Sequence, residues 1–294
     1  MADFEDSDYQ KNLRAWLIEQ KNQSLSVAVA TRAAWRLQPS FWFIHPPVGK
    51  VTPDDLTLSL VSIKTLLLGT LYTVLPNQNV IQLADENALS AVQFTKGWIN
   101  NAISPVALPA VMSLRAAARS VIQEVRRDGT FDADGTLKYG DGPIEAAAAV
   151  AAQAVFVFDY SANGLSAQME CEHWSNGLDV WDLPLWTKLP DDIAKAWSET
   201  RDGWENAGAP WDYFAEVYDA LLKGTQPDWT ILRQVALISP SDWDAGPDQV
   251  AACIAAILAK SPKPAQPKKP APEVIRQFAD TNAETLPAQL AALI

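Results

Sequence analysis

Cysteine and histidine are scarce in this chain, with two of each in 294 residues. Cys171 and Cys253 are too few for a disulfide scaffold. His45 and His173 leave little material for imidazole chemistry, since Ser/His/Asp catalysis would have to recruit one of the two. Cys171 and His173 stand close in sequence, but on a helix residues i and i+2 point about 200° apart, so they cannot act as a thiol–imidazole pair. A zinc site would need His45, Cys171, His173 and Cys253 to converge without recognisable ligand spacing, so no metal and no cofactor is expected. Positive charge is also short. The 23 Lys and Arg against 35 Asp and Glu give a net charge of −12, which repels polyanions and argues against nucleic-acid binding by direct electrostatics. No glycine-rich phosphate loop and no nucleophile elbow is present. The acidic, polar start (MADFEDSDYQ) is no secretory signal, and a cytoplasmic bacterial-type protein is expected.

Tryptophan is what the chain has in excess. Of 12 in all, eight fall between Trp174 and Trp243. Their spacing follows helical faces: Ile193, Trp197 and Trp204 share one, Trp211, Phe214, Tyr218 and Leu221 another, and Val250, Ile254 and Ile257 a third. Helices in this half open with proline and an acid within two residues, as in Pro190-Asp191, Pro210 with Asp212, Pro227-Asp228, Pro240 with Asp242, and Pro247-Asp248. Proline suits a first turn whose N–H groups lack partners, and a carboxylate there meets the positive end of the helix dipole. Carboxylates so used start helices and are poor candidates for acid–base catalysis. The Trp-Asp pairs at Trp181, Trp211 and Trp243 lie too close together for propeller repeats, and the sequence between them is helical.

The N-terminal half predicts helices from a Ser7–Gln10 capping box, with Tyr9, Leu13, Trp16 and Leu17 on one face; from Ser24 past Trp35 to Pro39; across 56–75; from Glu86 to Asn101; across 105–127; and from Ile144 to about Trp174. Phe41 to Ile44 reads as an aromatic connector. Residues 56–75 approach the length of a membrane span, but Lys64 at the centre is costly in lipid and favours a buried core helix. Around Asp134-Gly135, residues 130–139 predict a small exposed hairpin. The 130–141 loop shares Asp132, Asp134 and Gly135 with an EF-hand, yet opens with Thr130 and ends with Asp141, so a hairpin with an acidic rim is preferred over calcium binding. Arg115, Arg119 and Arg126 form a basic stripe, read as a solvated face with anion binding as the weaker alternative. Residues 261–272 carry five prolines and three lysines and predict a semi-rigid linker; beyond it Phe278, Leu286 and Leu290 are helix-spaced in an amphipathic tail. Nothing in the sequence marks Ile294 as a natural end.

The expected fold is therefore all-α: a multi-helix bundle (1–127), a β-hairpin insertion (128–142), a tryptophan-rich module of short helices (143–260), a linker (261–272) and a tail (273–294). Leu183-Pro184-Leu185-Trp186, then Trp211-Asp212-Tyr213-Phe214 with Tyr218, Asp219, Leu222, Lys223 and Gly224, then Ile238 and Ser241 to Pro247 form a recurring kind of pattern. It resembles the C-terminal tryptophan-rich module of uncharacterised, often alanine-rich bacterial helical proteins. Ala15 to Ile18 and Val27 to Ala34 resemble the leading segment of the same proteins. Tyr218 departs from the pattern, standing offset from where the aromatic pair would continue. The resemblance covers about 120 residues; it implies an all-α fold and supplies no catalytic residues.

The functional expectation is a non-enzymatic helical adaptor or regulatory scaffold that binds a protein partner, with a bacterial defence or stress system as its setting. Trp181, Trp186, Trp211 and Trp229 are the expected partner-binding aromatics, with Phe278, Leu286 and Leu290 of the tail. The alternatives are a carboxylate-based hydrolase using Asp182, Asp212 or Glu216, and a membrane-associated protein using residues 56–75.

Overall fold

The computed structural model describes residues 9–43, 53–75, 78–100, 108–126, 130–131, 137–138, 143–156 and 160–260. Met1–Ile257 form one compact unit and Leu258–Ile294 a second, of which only 258–260 are described. Among the described residues of the first unit the architecture is a helical bundle.

Helix α1 (Tyr9–Gln20) is followed by α2 (Gln23–Leu37), which starts one residue before the predicted Ser24 because Asn22 caps it, its side chain accepting from the Leu25 N–H at 3.0 Å. A 3-10 turn (Gln38–Phe43) takes up the predicted aromatic connector. Then come α3 (Pro53–Val74), α4 (Gln78–Asn100) and α5 (Leu108–Arg126). The single helix predicted from Ile144 to Trp174 is two, α6 (Pro143–Phe156) and α7 (Tyr160–Ser175). Helix α5 packs against α2, α4 and α6, and buried Ala116, Ala117, Ala118, Ala148, Ala151 and Ala152 let these helices approach closely.

The predicted hairpin insertion is corrected. What the described residues hold at that place is a pairing two residues long, Thr130 opposite Lys138 and Phe131 opposite Leu137, and the Asp134-Gly135 turn lies outside them. A ladder two residues long is too short to form a structural unit beside the helices. The EF-hand-like loop likewise falls largely outside the described residues.

Five further helices follow: α8 (Asp191–Ala207), α9 (Trp211–Lys223), α10 (Trp229–Ala236), α11 (Pro240–Asp244) and α12 (Pro247–Lys260). The proline–acid pattern does open them, though in different registers. Pro190 and Pro210 occupy the cap positions of α8 and α9, with Asp191, Asp192 and Asp212 in the first turns. Asp228 itself caps α10, accepting from the Thr230 and Ile231 N–H groups, and Ser239 caps α11.

The rings form a continuous series. Trp35 of α2 lies 6.3 Å from Tyr218, and Tyr218 lies 4.4 Å from Trp197. The series runs on through Trp204, Trp211 and Phe214, at centroid separations of 5.6, 5.4 and 6.0 Å, and ends on Trp243 of α11 at 6.3 Å. One core cluster extends from Leu13 to Ile254.

A buried clasp fixes the irregular connector between α7 and α8. Arg32 and Arg36, one turn apart on α2, both bind Glu170 Oε1 of α7, Arg32 Nε at 2.5 Å. All three side chains are 0% exposed. Arg32 Nη2 also donates to the carbonyls of Leu183 (3.1 Å) and Pro184 (2.8 Å), and Arg36 Nε to that of Leu185 (2.5 Å). From the other side the Leu185 N–H donates to Leu221 O at the end of α9 (3.0 Å). Gly224, just past that end, has φ +66°, and a Cβ there would lie 2.5 Å from the Pro184 nitrogen. Gly224→Ala therefore combines a left-handed backbone, worth about 1–2 kcal/mol, with a backbone clash. Urea unfolding of this variant is expected to show a loss above about 2 kcal/mol; a loss below about 0.5 kcal/mol would mean that the approach is not tight.

Candidate functional site

Several of the residues that the sequence put forward are packed inside the fold. Trp181, Trp186 and Trp211 are buried. The Trp181 ring lies under the Arg32 guanidinium at 5.4 Å, and its N–H donates to Thr73 of α3 at 3.1 Å. Trp186 lies under Arg36 at 5.9 Å. Trp229 is different: it is only half-buried, with its ring edge against Trp181 (6.3 Å, 78°) and its N–H donating to Gln226 Oε1 at 2.9 Å. The Gln226 amide in turn donates to Asp182. Phe278, Leu286 and Leu290 lie outside the described residues. Arg115 and Arg119 are 7% exposed, so this part of the stripe is not a solvated face; the Arg126 side chain lies outside the described residues.

Two of the three candidate catalytic carboxylates are engaged, and the third, Glu216, stands exposed on α9. Asp182 accepts from Gln226, and Asp212 stands in the first turn of α9. Asp219 accepts from the Trp197 indole N–H (3.0 Å) and from Arg201 (2.9 Å). Cys171 is buried, and burial, reinforced by Glu170 and Glu172, pushes its thiol well above the usual range. His45 lies outside the described residues, and among those described no three His, Cys, Asp or Glu side chains form a metal-holding group. No helix among them is long and apolar enough to cross a membrane. Helix α3 instead buries Ser59, Ser62 and Thr70, whose hydroxyls on Ser62 and Thr70 bond backwards to Ser59 O and Leu66 O.

A cleft of about 450 Å³ opens where α3, α4 and the α10–α11 corner meet. Helix α3 contributes Leu60, Val61, Lys64 and Leu68, which recur at helical spacing on one stripe. Helix α4 contributes Leu83, Glu86, Asn87, Ser90 and Phe94, a stripe about 16 Å long at 1.5 Å per residue. The third wall is Ala236, Ile238, Pro240, Trp243, Asp244 and Gly246. Lys64 is half-buried, with Nζ 5.8 Å from the centroid of the Trp243 ring. No carboxylate among the described residues lies within ion-pair distance of it. Burial lowers its pKa from the ordinary lysine value, and the nearby Asp244 charge opposes that shift. Asn87 donates to Thr65 at 2.9 Å, while Glu86, Ser90 and Asp244 stand exposed at the mouth.

Sequence reasoning flagged Lys64 only as an obstacle to membrane insertion, and it passed over Glu86, Asn87 and Asp244. No pattern in the chain joins three elements so far apart. The mid-run lysine was the one available signal. Comparison with known protein families, with curated proteins and with solved structures finds no match for this chain. Fold and site together define a helical protein with an aromatic-rich core and, among the described residues, a cleft in which a lysine stands between largely apolar walls.

The two cysteines differ in access, since Cys253 is only partly covered. Iodoacetamide at pH 8 is expected to label Cys253 within minutes and to leave Cys171 unmodified until denaturant is added, as read by peptide mapping. Equal labelling of both in the folded protein would contradict the burial of α7.

Proposed function

We propose that this chain is a non-enzymatic helical adaptor or regulatory scaffold that engages a protein partner through the surface around Trp229. The observation that carries this reading is that Trp229, half-buried like Trp174 and Tyr213, has its ring oriented by both a hydrogen bond and a ring contact. Trp181, Trp186, Trp197, Trp204, Trp211 and Trp243 are buried, whereas Trp229 and Trp174 are half-buried. The Trp229 ring is held in place by Gln226 and by its T-shaped contact with Trp181, so little side-chain entropy remains to be lost on contact. Tryptophan in such a setting is the residue type most enriched among interface hot spots. The engagement of Asp182 in a hydrogen bond and of Asp212 in a helix start supports the same reading over a carboxylate hydrolase, while Glu216 stands exposed on α9. A bacterial defence or stress setting rests on the sequence resemblance alone.

A photo-crosslinker placed at position 229 in cells is expected to capture one defined protein, and the same probe at Lys195, whose side chain is 78% exposed, is not. The purified pair should then bind directly, with Trp229→Ala weakening Kd at least about tenfold, or 1.4 kcal/mol. Identical adducts at both positions, or a reconstituted affinity that ignores Trp229→Ala, would contradict the assignment.

A further inference from the structure

The cleft between α3, α4 and α11 presents an unusual set of charges. Lys64 is half-buried in the cleft, with the Trp243 ring 5.8 Å away and the Asp244 charge nearby but beyond ion-pair distance, and a charge so placed is stabilised by a closer counter-ion. A carboxylate that enters supplies one. A ligand with only a carboxylate meets opposition, because Glu86 and Asp244 both stand at the mouth and outnumber the lysine. A ligand with only an ammonium group suits the rim and is repelled from the interior. A molecule that carries both signs on one end and an apolar body on the other satisfies each of these groups. The volume, about 450 Å³, lies within the range of about 300–1,000 Å³ common to small-molecule sites.

We propose that this cleft binds a zwitterionic small molecule of the α-amino-acid class with an apolar side chain, its carboxylate on Lys64, its ammonium facing Glu86 and Asp244, and its side chain against Leu68 and Phe94. The Asn87 amide nitrogen is spent on Thr65, which leaves its carbonyl oxygen as a further acceptor for the ammonium group. Trp243 links the site to the core, since its ring carries Lys64 on the cleft side and stacks on Phe214 at 20° between planes. The ligand site is separate from the Trp229 surface and does not depend on the partner reading.

Calorimetric titration of the full chain at low salt tests this with three probes: L-phenylalanine, phenethylamine and 3-phenylpropionate. L-Phenylalanine is expected to bind with Kd below about 1 mM, and each half-ligand at least tenfold more weakly. Lys64→Met should remove the advantage of L-phenylalanine over phenethylamine, and Glu86→Gln with Asp244→Asn its advantage over 3-phenylpropionate. Ser90→Trp, on an exposed position of α4, should block all binding without touching the core. Tightest binding of either half-ligand would overturn the proposal. So would the absence of measurable binding by L-phenylalanine, L-leucine and L-tryptophan alike, or unchanged affinity in Ser90→Trp.

Discussion

Arg32 and Arg36 stand one turn apart on a helix that carries no other charged residue, and they hold what the helices cannot hold by themselves. Residues 183–186 are irregular backbone inside the protein, and Pro184 has no N–H to offer a ladder. Three successive carbonyls there need donors, because a buried acceptor left unpaired costs about 1–3 kcal/mol. The two guanidinium groups supply those donors and share the Glu170 carboxylate. Their guanidinium carbons also lie over the Trp181 and Trp186 rings. Lysine could do neither task, since a single ammonium lacks the planar fork and the stacking surface. Removing one partner leaves a buried charge uncompensated, which is why such a cluster is costly to break even where it adds little net stability.

Helix α9 packs onto the connector that the clasp holds. Leu185 docks on the end of α9, Gly224 lies against Leu183 and Pro184, and the aromatic series then carries the packing from Trp35 to Trp243. The edge-to-face and tilted ring pairs contribute about 0.5–1.5 kcal/mol each beyond area burial. The tryptophans thus serve architecture first. Trp229 and the Lys64 cleft are two places where this architecture meets solvent with something to offer, one an oriented ring and the other a cation lodged among apolar walls.

Helical periodicity made most of the bundle readable in advance. Leu13, Leu17, Trp204, Phe214, Tyr218 and Ile254 are core residues in the structure, as their spacing indicated. The hairpin was over-read because Asp134-Gly135 is a strong turn signal but is flanked by too few alternating residues to build strands. Helix α4 begins eight residues before Glu86 because Gln78 to Asp85 is amphipathic without a capping signature. Trp181 and Trp186 looked available because they fall near helix ends; nothing local shows that arginines about 150 residues earlier lie over them. The motif pieces around Arg32 and around 183–186 were recognised separately, and only the fold brings them into contact. Glu170 carried no signal at all, being one acid among many. Charge pairing over such separations is set by tertiary packing, which leaves no period in the sequence.

The most direct test of the clasp is equilibrium urea unfolding of Glu170→Gln, followed by tryptophan fluorescence, with Arg201→Ala as an exposed-pair control. Arg201 meets Asp219 and Glu205 at the surface, and its loss should cost under about 1 kcal/mol. Glu170→Gln should cost about 3–5 kcal/mol and shift the emission of the buried indoles near Arg32 and Arg36. A cost for Glu170→Gln no larger than that of the control would contradict the claim that the connector, and the module packed on it, depend on this buried carboxylate.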